Sequence, residues 1–180
     1  MENNNFVEDR ISDNLVFFGA SHTQNLVEIS KLIEAIRNFN PSIILIEGGF
    51  EKATFKSEEQ AIKTGGEMGA VSFFAKTKGI ILLPNDPDRK DELEFMTEKF
   101  GKDFTNLYFS LRESKEHPDY FNPTLSINEF NTATRELNKF RDAFMINKIR
   151  LLIKENKKIC VVKGSHHLLM NKDKIRKIIR

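Results

Sequence analysis

Two segments of the sequence repeat the layout glycine, two residues, histidine. They are Gly19–His22 and Gly164–His167, and each lies near the end of an apolar run. Glycine permits a sharp exit from a buried strand, and the turn that follows places the imidazole above the strand end. An imidazole titrates near neutral pH, works as a general base and binds divalent metals. The repeat therefore predicts that His22 and His167 serve one functional site.

Acidic residues follow two further apolar runs. Glu47 comes directly after Ile43–Ile46, and Asp86 lies just after Ile80–Leu83. If the runs are parallel strands, all four groups lie at one edge, where open α/β sheets bind their ligands. Two imidazoles and two carboxylates at one edge predict a metal or acid/base site. For Asp86, which precedes Pro87, a structural role in the turn is an equal alternative.

Two more charged residues are candidates on weaker grounds. Glu67 follows two glycines in the first turn of a predicted helix, where the helix dipole alone favours an acid. Arg141 lies beside the apolar stripe that includes Phe140 and Phe144, so its spacing alone indicates a solvated helix boundary. His22 also has a structural alternative, as the cap of the helix that follows. From residue types alone, these alternatives stay open.

Four continuous apolar runs must position these groups. A continuous run, rather than an alternating one, is typical of a strand buried on both faces of a parallel sheet. The predicted strands are Leu15–Phe18, Ile43–Ile46, Ile80–Leu83 and Ile159–Val162. Between the first two, apolar residues recur at three- and four-residue spacing, which predicts a crossover helix. A mostly helical stretch between the third and fourth runs predicts a helical insertion before the last strand.

The sequence thus predicts an α/β fold in a single domain over residues 1–180. We expect a central, mainly parallel sheet of four or slightly more strands, flanked by helices that cover both of its faces. A chain of 180 residues is ordinary for one domain. No shift in composition marks a boundary within it.

Charge and cysteine content restrict the function classes. The net charge is +2, and this small excess does not indicate nucleic-acid binding. No apolar stretch approaches the roughly 18 residues that span a bilayer, and the polar N-terminus lacks the pattern of a signal peptide. The single cysteine, Cys160, cannot form an internal disulfide. We therefore expect a cytoplasmic protein, monomeric or homo-oligomeric, that binds a small molecule or a peptide.

Taken together, the motifs resemble those of the superfamily that joins the TraB and Tiki proteins, the erythromycin esterase-like enzymes and the ChaN haem-binding proteins. The resemblance runs over most of the chain. Its motifs are Gly19–His22, Ile46–Gly49, Gly66–Gly69, Asp86–Pro87, Arg141–Asp142 with Met145, and Gly164–His167. Asp86 stands where the family usually has a longer glutamate, and the second motif carries two adjacent histidines.

The resemblance implies a shared cleft, adds Arg141 to the site and supports a metal-assisted hydrolase as the leading hypothesis. A zinc, manganese or cobalt ion would activate a water molecule. The expected ligands of this ion are His22, His167 and a carboxylate from Glu47 or Asp86. Glu67 is then the expected general base, and Arg141 the group that stabilises an oxyanion.

Two alternatives use the same cleft. In a hydrolase without a metal ion, His22 activates water or a substrate hydroxyl directly. In the other alternative, the chain binds haem or a small ligand without turnover and acts as a binding or regulatory protein.

Overall fold

Within residues 7–21, 23–113 and 125–177, which the computed structural model of the chain describes, five strands form one sheet. The strands are β1 (Val7–Ser12), β2 (Leu15–Ala20), β3 (Ile43–Ile46), β4 (Ile81–Pro84) and β5 (Ile159–Gly164). Their order across the sheet is β1-β2-β5-β3-β4. The last strand of the chain therefore lies in the middle of the sheet.

Four of these strands are the apolar runs that the sequence predicts, and they pair in parallel. The predicted α/β class and the mainly parallel sheet are confirmed. The additional strand, β1, pairs with β2 in the antiparallel direction. The sequence analysis does not predict β1, because its residues are partly charged and partly exposed. Such a composition is common in edge strands and does not give the continuous apolar run of a buried strand.

Helices follow the strands in the order expected for crossover connections. They are α1 (Leu26–Phe39), α2 (Glu58–Thr77), α3 (Arg89–Phe100), α4 (Lys102–Glu113), α5 (Ile127–Lys154) and α6 (Ser165–Lys177). The predicted crossover helix is α1, and its apolar stripe is buried. It begins after Asn25, whose side chain accepts a hydrogen bond from the backbone N–H of Val27 at 2.9 Å. It ends at Asn40 in the left-handed conformation, before Pro41.

Alternate residues of the parallel strands point to opposite faces of the sheet, and both faces are buried at β2, β3 and β5, whereas β4 lies at the edge of the sheet and is partly exposed. On one face, Val16, Ile44 and Cys160 pack with the apolar residues of α1 and α2. On the other face, Leu45 and Val161 pack with residues 145–153 of α5 and with α6. Both layers are apolar, which explains why the strands read as continuous apolar runs.

The chain divides into two compact units. The sheet unit comprises Met1–Asp86 and Phe144–Arg180, and the helical unit comprises Pro87–Ala143. The core of the helical unit contains Met96, Tyr108 and Leu137. This unit is the helical insertion that the sequence predicts before the last strand. In the part of the chain that the structure describes, no helix combines the length and apolar character needed to cross a membrane.

Cys160 offers a direct test of the buried central strand. Burial raises the pKa of its thiol well above the usual range, and the carboxylate of Glu8 adds to this shift. We expect the native protein to stay unmodified by a thiol reagent at pH 8, because the reactive thiolate is scarce and inaccessible. In denaturant, the same reagent should modify one thiol per chain. Native protein that reacts as fast as the unfolded chain would contradict this placement.

Candidate functional site

The two glycine-histidine motifs begin side by side in neighbouring parallel strands. In the register between β2 and β5, Gly19 pairs with Lys163 and Ala20 pairs with Gly164. A Cβ atom on Gly19 would lie 2.9 Å from the Cα atom of Ser165, so only glycine allows the two motifs to approach this closely. The structure thus brings together the two strand ends that carry the motifs. His22 itself lies outside the described residues.

Glu47 connects the end of β3 with the end of β5. Its Oε2 atom accepts a hydrogen bond from the backbone N–H of Gly164 at 3.2 Å. The backbone N–H of Asn85 donates to the carbonyl oxygen of Ile46 at 2.9 Å, which extends the pairing between β3 and β4 to the last residues before the turn. The predicted site residue Glu47 therefore lies at the same sheet edge as the second glycine-histidine motif.

Lys163 carries a buried positive charge at this edge, and the sequence analysis missed it. Its side chain is 0% exposed, and its Nζ atom donates to Oδ1 of Asp86 at 2.6 Å and to Oδ1 of Asn85 at 3.2 Å. The other carboxylate oxygen of Asp86 accepts from the backbone N–H of Gly48 at 3.4 Å. A charge removed from water must be paired in this way. In the sequence, a lysine between the apolar run of β5 and Gly164 does not by itself indicate burial.

The amide of Asn85 is oriented for the same ammonium. Asn85 is fully buried, and its Nδ2 atom has no hydrogen-bond partner. A buried donor without an acceptor costs free energy. If the amide were turned by 180°, however, its N–H groups would point at the ammonium of Lys163, and this ammonium would lose the oxygen that accepts from it. The requirements of Lys163 therefore decide which way this side chain lies.

Glu67 reaches the site because α2 changes direction at Gly66. Gly66 has φ 54° and ψ −136°, which interrupts the helical backbone. The helix resumes at Glu67, after Gly65 and Gly66, where the sequence predicts the first turn of a helix. The backbone N–H of Glu67 donates to the carbonyl oxygen of Thr23 at 3.1 Å, and Glu67 is only 2% exposed. Thr23 follows His22 in the sequence, so the chain next to the first motif is bound directly to the residue that carries the buried carboxyl group.

A cleft of about 280 Å³ lies between the end of β3 and the kink of α2. Its lining combines two acidic residues with three glycines, two apolar residues and two uncharged polar residues. The lining residues are Gln24, Glu47, Gly48, Phe50, Thr64, Gly65, Gly66, Glu67 and Met68. The structure therefore brings Glu47 and Glu67, which were predicted separately, into one cleft.

The histidines of the second motif differ in exposure. His167 is partly buried in the first turn of α6, whereas its neighbour His166 is exposed. The side-chain amide of Asn171 donates to the carbonyl oxygen of His167 at 2.9 Å. This difference in exposure favours His167 over His166 as the site histidine, whereas the register of β2 and β5, in which Ala20 pairs with Gly164, is offset by one residue from the alignment of the two motifs.

Arg141 lies in the helical unit, where it forms a partly buried ion pair. Its Nε atom is 2.6 Å from Oε1 of Glu92, and Glu92 is 4% exposed. Arg89 approaches the other carboxylate oxygen of Glu92 at 3.8 Å. Within this unit, the guanidinium of Arg141 thus links α5 to α3, and its part in catalysis stays a prediction.

The predicted divalent metal ion fits the surroundings of Asp86 poorly. Among the described residues, which do not include His22, no three His, Cys, Asp or Glu side chains are grouped to hold a metal. The stronger argument against a metal ion at Asp86 is that the buried ammonium of Lys163 already binds its carboxylate. A divalent ion about 4 Å from an ammonium meets a repulsion of roughly 8 kcal/mol at an effective dielectric constant of about 20. Metal ligation by Glu47 and His167 stays a prediction.

The chain was compared with models of protein families, with curated proteins and with solved structures, and none of them matches it. The similarity to the TraB, Tiki, erythromycin esterase-like and ChaN proteins therefore stays a prediction from the motifs. The function of the cleft has to be inferred from its own residues.

The kink at Gly66 can be tested against a second glycine of the same helix region. A Cβ atom on Gly66 would lie 2.6 Å from the carbonyl oxygen of Thr23, whereas one on Gly79 would meet nothing within 4 Å. Both have positive φ, so each alanine variant pays about 1 kcal/mol of backbone strain. We expect Gly66→Ala to lower the free energy of unfolding by at least about 1 kcal/mol more than Gly79→Ala. Equal losses in urea titrations would mean that the close approach to Thr23 is wrong.

The ion pair of Arg141 has a matched control on the same helix. Arg141→Met leaves the buried Glu92 with only the more distant Arg89, so we expect a loss of about 1–3 kcal/mol in the free energy of unfolding. Arg135→Met changes an exposed arginine and should stay within about 0.5 kcal/mol of the unsubstituted protein. Urea unfolding followed by circular dichroism measures both. If the two variants are equally stable, the pair with Glu92 contributes nothing.

Proposed function

We propose that the chain is a hydrolase, similar to the TraB, Tiki and erythromycin esterase-like proteins, that cleaves an ester or peptide bond in the 280 Å³ cleft. One observation carries the proposal. Glu67 is 2% exposed and still lines the cleft, beside Glu47. A buried acidic residue in the wall of a cleft is the arrangement that general bases use.

In the proposed reaction, the carboxylate of Glu67 takes a proton from a water molecule. The water oxygen attacks the carbonyl carbon of the substrate, and the tetrahedral intermediate then expels the leaving oxygen or nitrogen, which needs a proton. We assign the transfer of this proton to His22. The bond between Glu67 and Thr23, the residue after His22, supports this assignment.

Glu47 would position the substrate in this scheme. Its Oε2 atom is oriented by the backbone N–H of Gly164, so its carboxylate is fixed relative to the sheet edge. A fixed acceptor in the cleft suits a substrate with an N–H or O–H donor next to the scissile bond. The role of Arg141 in stabilising an oxyanion is implied by the resemblance alone.

No step of this scheme uses a metal ion, because Asp86, one of the predicted metal ligands, is held by Lys163. The cleft volume also bears on the haem alternative. Pockets for drug-sized ligands are roughly 300–1,000 Å³, and haem is larger than most such ligands. A cleft of about 280 Å³ suits the reacting part of a small substrate or a peptide side chain better than a tetrapyrrole.

The test is a loss of activity in Glu67→Gln with an intact fold. We expect kcat/KM to fall by about 10²–10⁴ fold, because glutamine cannot accept the proton of the attacking water. Glu34→Gln, which changes an exposed glutamate of α1, should keep the activity of the unsubstituted protein. A p-nitrophenyl ester series and a library of fluorogenic peptides are the substrates, and circular dichroism monitors the fold.

Two results would count against the hydrolase. One is the absence of turnover of any ester or peptide by the unsubstituted protein, with and without zinc, manganese or cobalt. The other is a Glu67→Gln variant that is as active as Glu34→Gln. Titration with haemin then separates the alternative, since stoichiometric binding with a shifted Soret band would support a haem-binding protein.

A further inference from the structure

We propose that the ammonium of Lys163 is the resident cation of this sheet edge, where it compensates the carboxylate charge and excludes a divalent metal ion. The inference deepens the proposed hydrolase, because it assigns its site a fixed organic cation instead of an exchangeable metal. Only the role of Lys163 in catalysis depends on the proposed function. Its test measures metal uptake and stability, which do not depend on turnover.

The first support is the burial of Lys163 at the end of the central strand. β5 lies between β2 and β3, and the side chain of Lys163 is 0% exposed. Lysine is almost never fully buried unless it is paired. Here the pairing consists of Asp86 at 2.6 Å and Asn85 at 3.2 Å, two oxygen acceptors that follow β4, the strand on the far side of β3. These are the ligand types that a divalent ion would use.

The second support is the network around this ion pair. Asp86 also accepts from the backbone N–H of Gly48, and Gly48 follows Glu47 in the chain. Glu47 in turn accepts from the backbone N–H of Gly164, which follows Lys163. One cation and two carboxylates therefore join the ends of β3, β4 and β5, which is the positioning role that a structural metal has in other sites.

A purely structural ion pair would share these contacts, so the two interpretations must be separated by what happens when the cation is removed. If Lys163 only stabilises the fold, its loss destabilises the protein and nothing else changes. If it stands in for a metal, its loss leaves an oxygen-rich site without a cation, and the site should gain affinity for divalent ions.

The experiment compares the unsubstituted protein with Lys163→Met, which keeps the length of the side chain and removes its charge. Each is dialysed against zinc, manganese or cobalt, and metal content and Tm are measured. We expect no stoichiometric metal and no shift in Tm for the unsubstituted protein. We expect Lys163→Met without metal to melt roughly 10 °C lower, because it takes the ammonium away from the largely buried carboxylate of Asp86. It should bind about one ion, and metal at 100 times its Kd should raise its Tm by about 5–10 °C.

The double variant Lys163→Met with Asp86→Asn is the matched control. It removes both charges of the pair, so it should recover most of the lost Tm. It also lacks the carboxylate that would hold the ion, so it should take up no metal. A double variant that binds metal as well as the single variant would place the ion elsewhere and overturn the proposal.

The remaining outcomes also decide the question. Stoichiometric metal in the unsubstituted protein overturns the proposal, whatever the variants do. If Lys163→Met does not fold alone, it is refolded with each metal. Recovery of the fold that depends on the metal supports the proposal, and no recovery with any of the three overturns it. Missing hydrolase activity would refute the proposed function and leave these metal measurements unaffected.

Discussion

A lysine ammonium that does not contact solvent lies at the end of the strand in the middle of the sheet, and it keeps its charge there only if anions accept from it. Lys163 is that lysine, and Asp86 and Asn85 supply the acceptors. This requirement fixes where the chain must turn after β4. Because Asp86 also binds the backbone of Gly48, the turn after β3 is fixed by the same charge.

The two faces of the sheet hold apolar side chains in the described part of its unit. Both faces of the parallel strands are covered by apolar layers from α1 and α2 on one side and from α5 and α6 on the other. The polar groups that the strands themselves position therefore lie where the strands end, as in other open α/β sheets. α2 contributes to this edge because its backbone breaks at Gly66. In an unbroken helix, the backbone N–H of Glu67 would donate within the helix and not to the carbonyl oxygen of Thr23.

The sequence predicts the parallel strands well, because burial on both faces leaves continuous apolar runs that few other structures produce. It also predicts that the strand ends at Gly19 and Gly164 serve one site, and these two strand ends are neighbours in the register of β2 with β5. It could not predict that β5 lies between β2 and β3, since strand order depends on long-range packing. Lys163 was missed for a related reason. A lysine after an apolar run is typical of a solvated strand end, and only the position of β5 in the sheet makes it buried.

Asp86 and Glu67 lie on opposite sides of this sheet edge and have different partners. Different surroundings can give two acids different chemical roles. Lys163 follows the alternation of Val161, which packs on the face of α5 and α6, and there it binds Asp86. Glu67 belongs to α2, which packs on the opposite face. The cation is thus committed to Asp86 on one side of the sheet, while the cleft that contains Glu67 and Glu47 lies on the side of α2. An acid whose charge is already compensated is a poor proton acceptor, so the basic chemistry of this edge belongs to the cleft side.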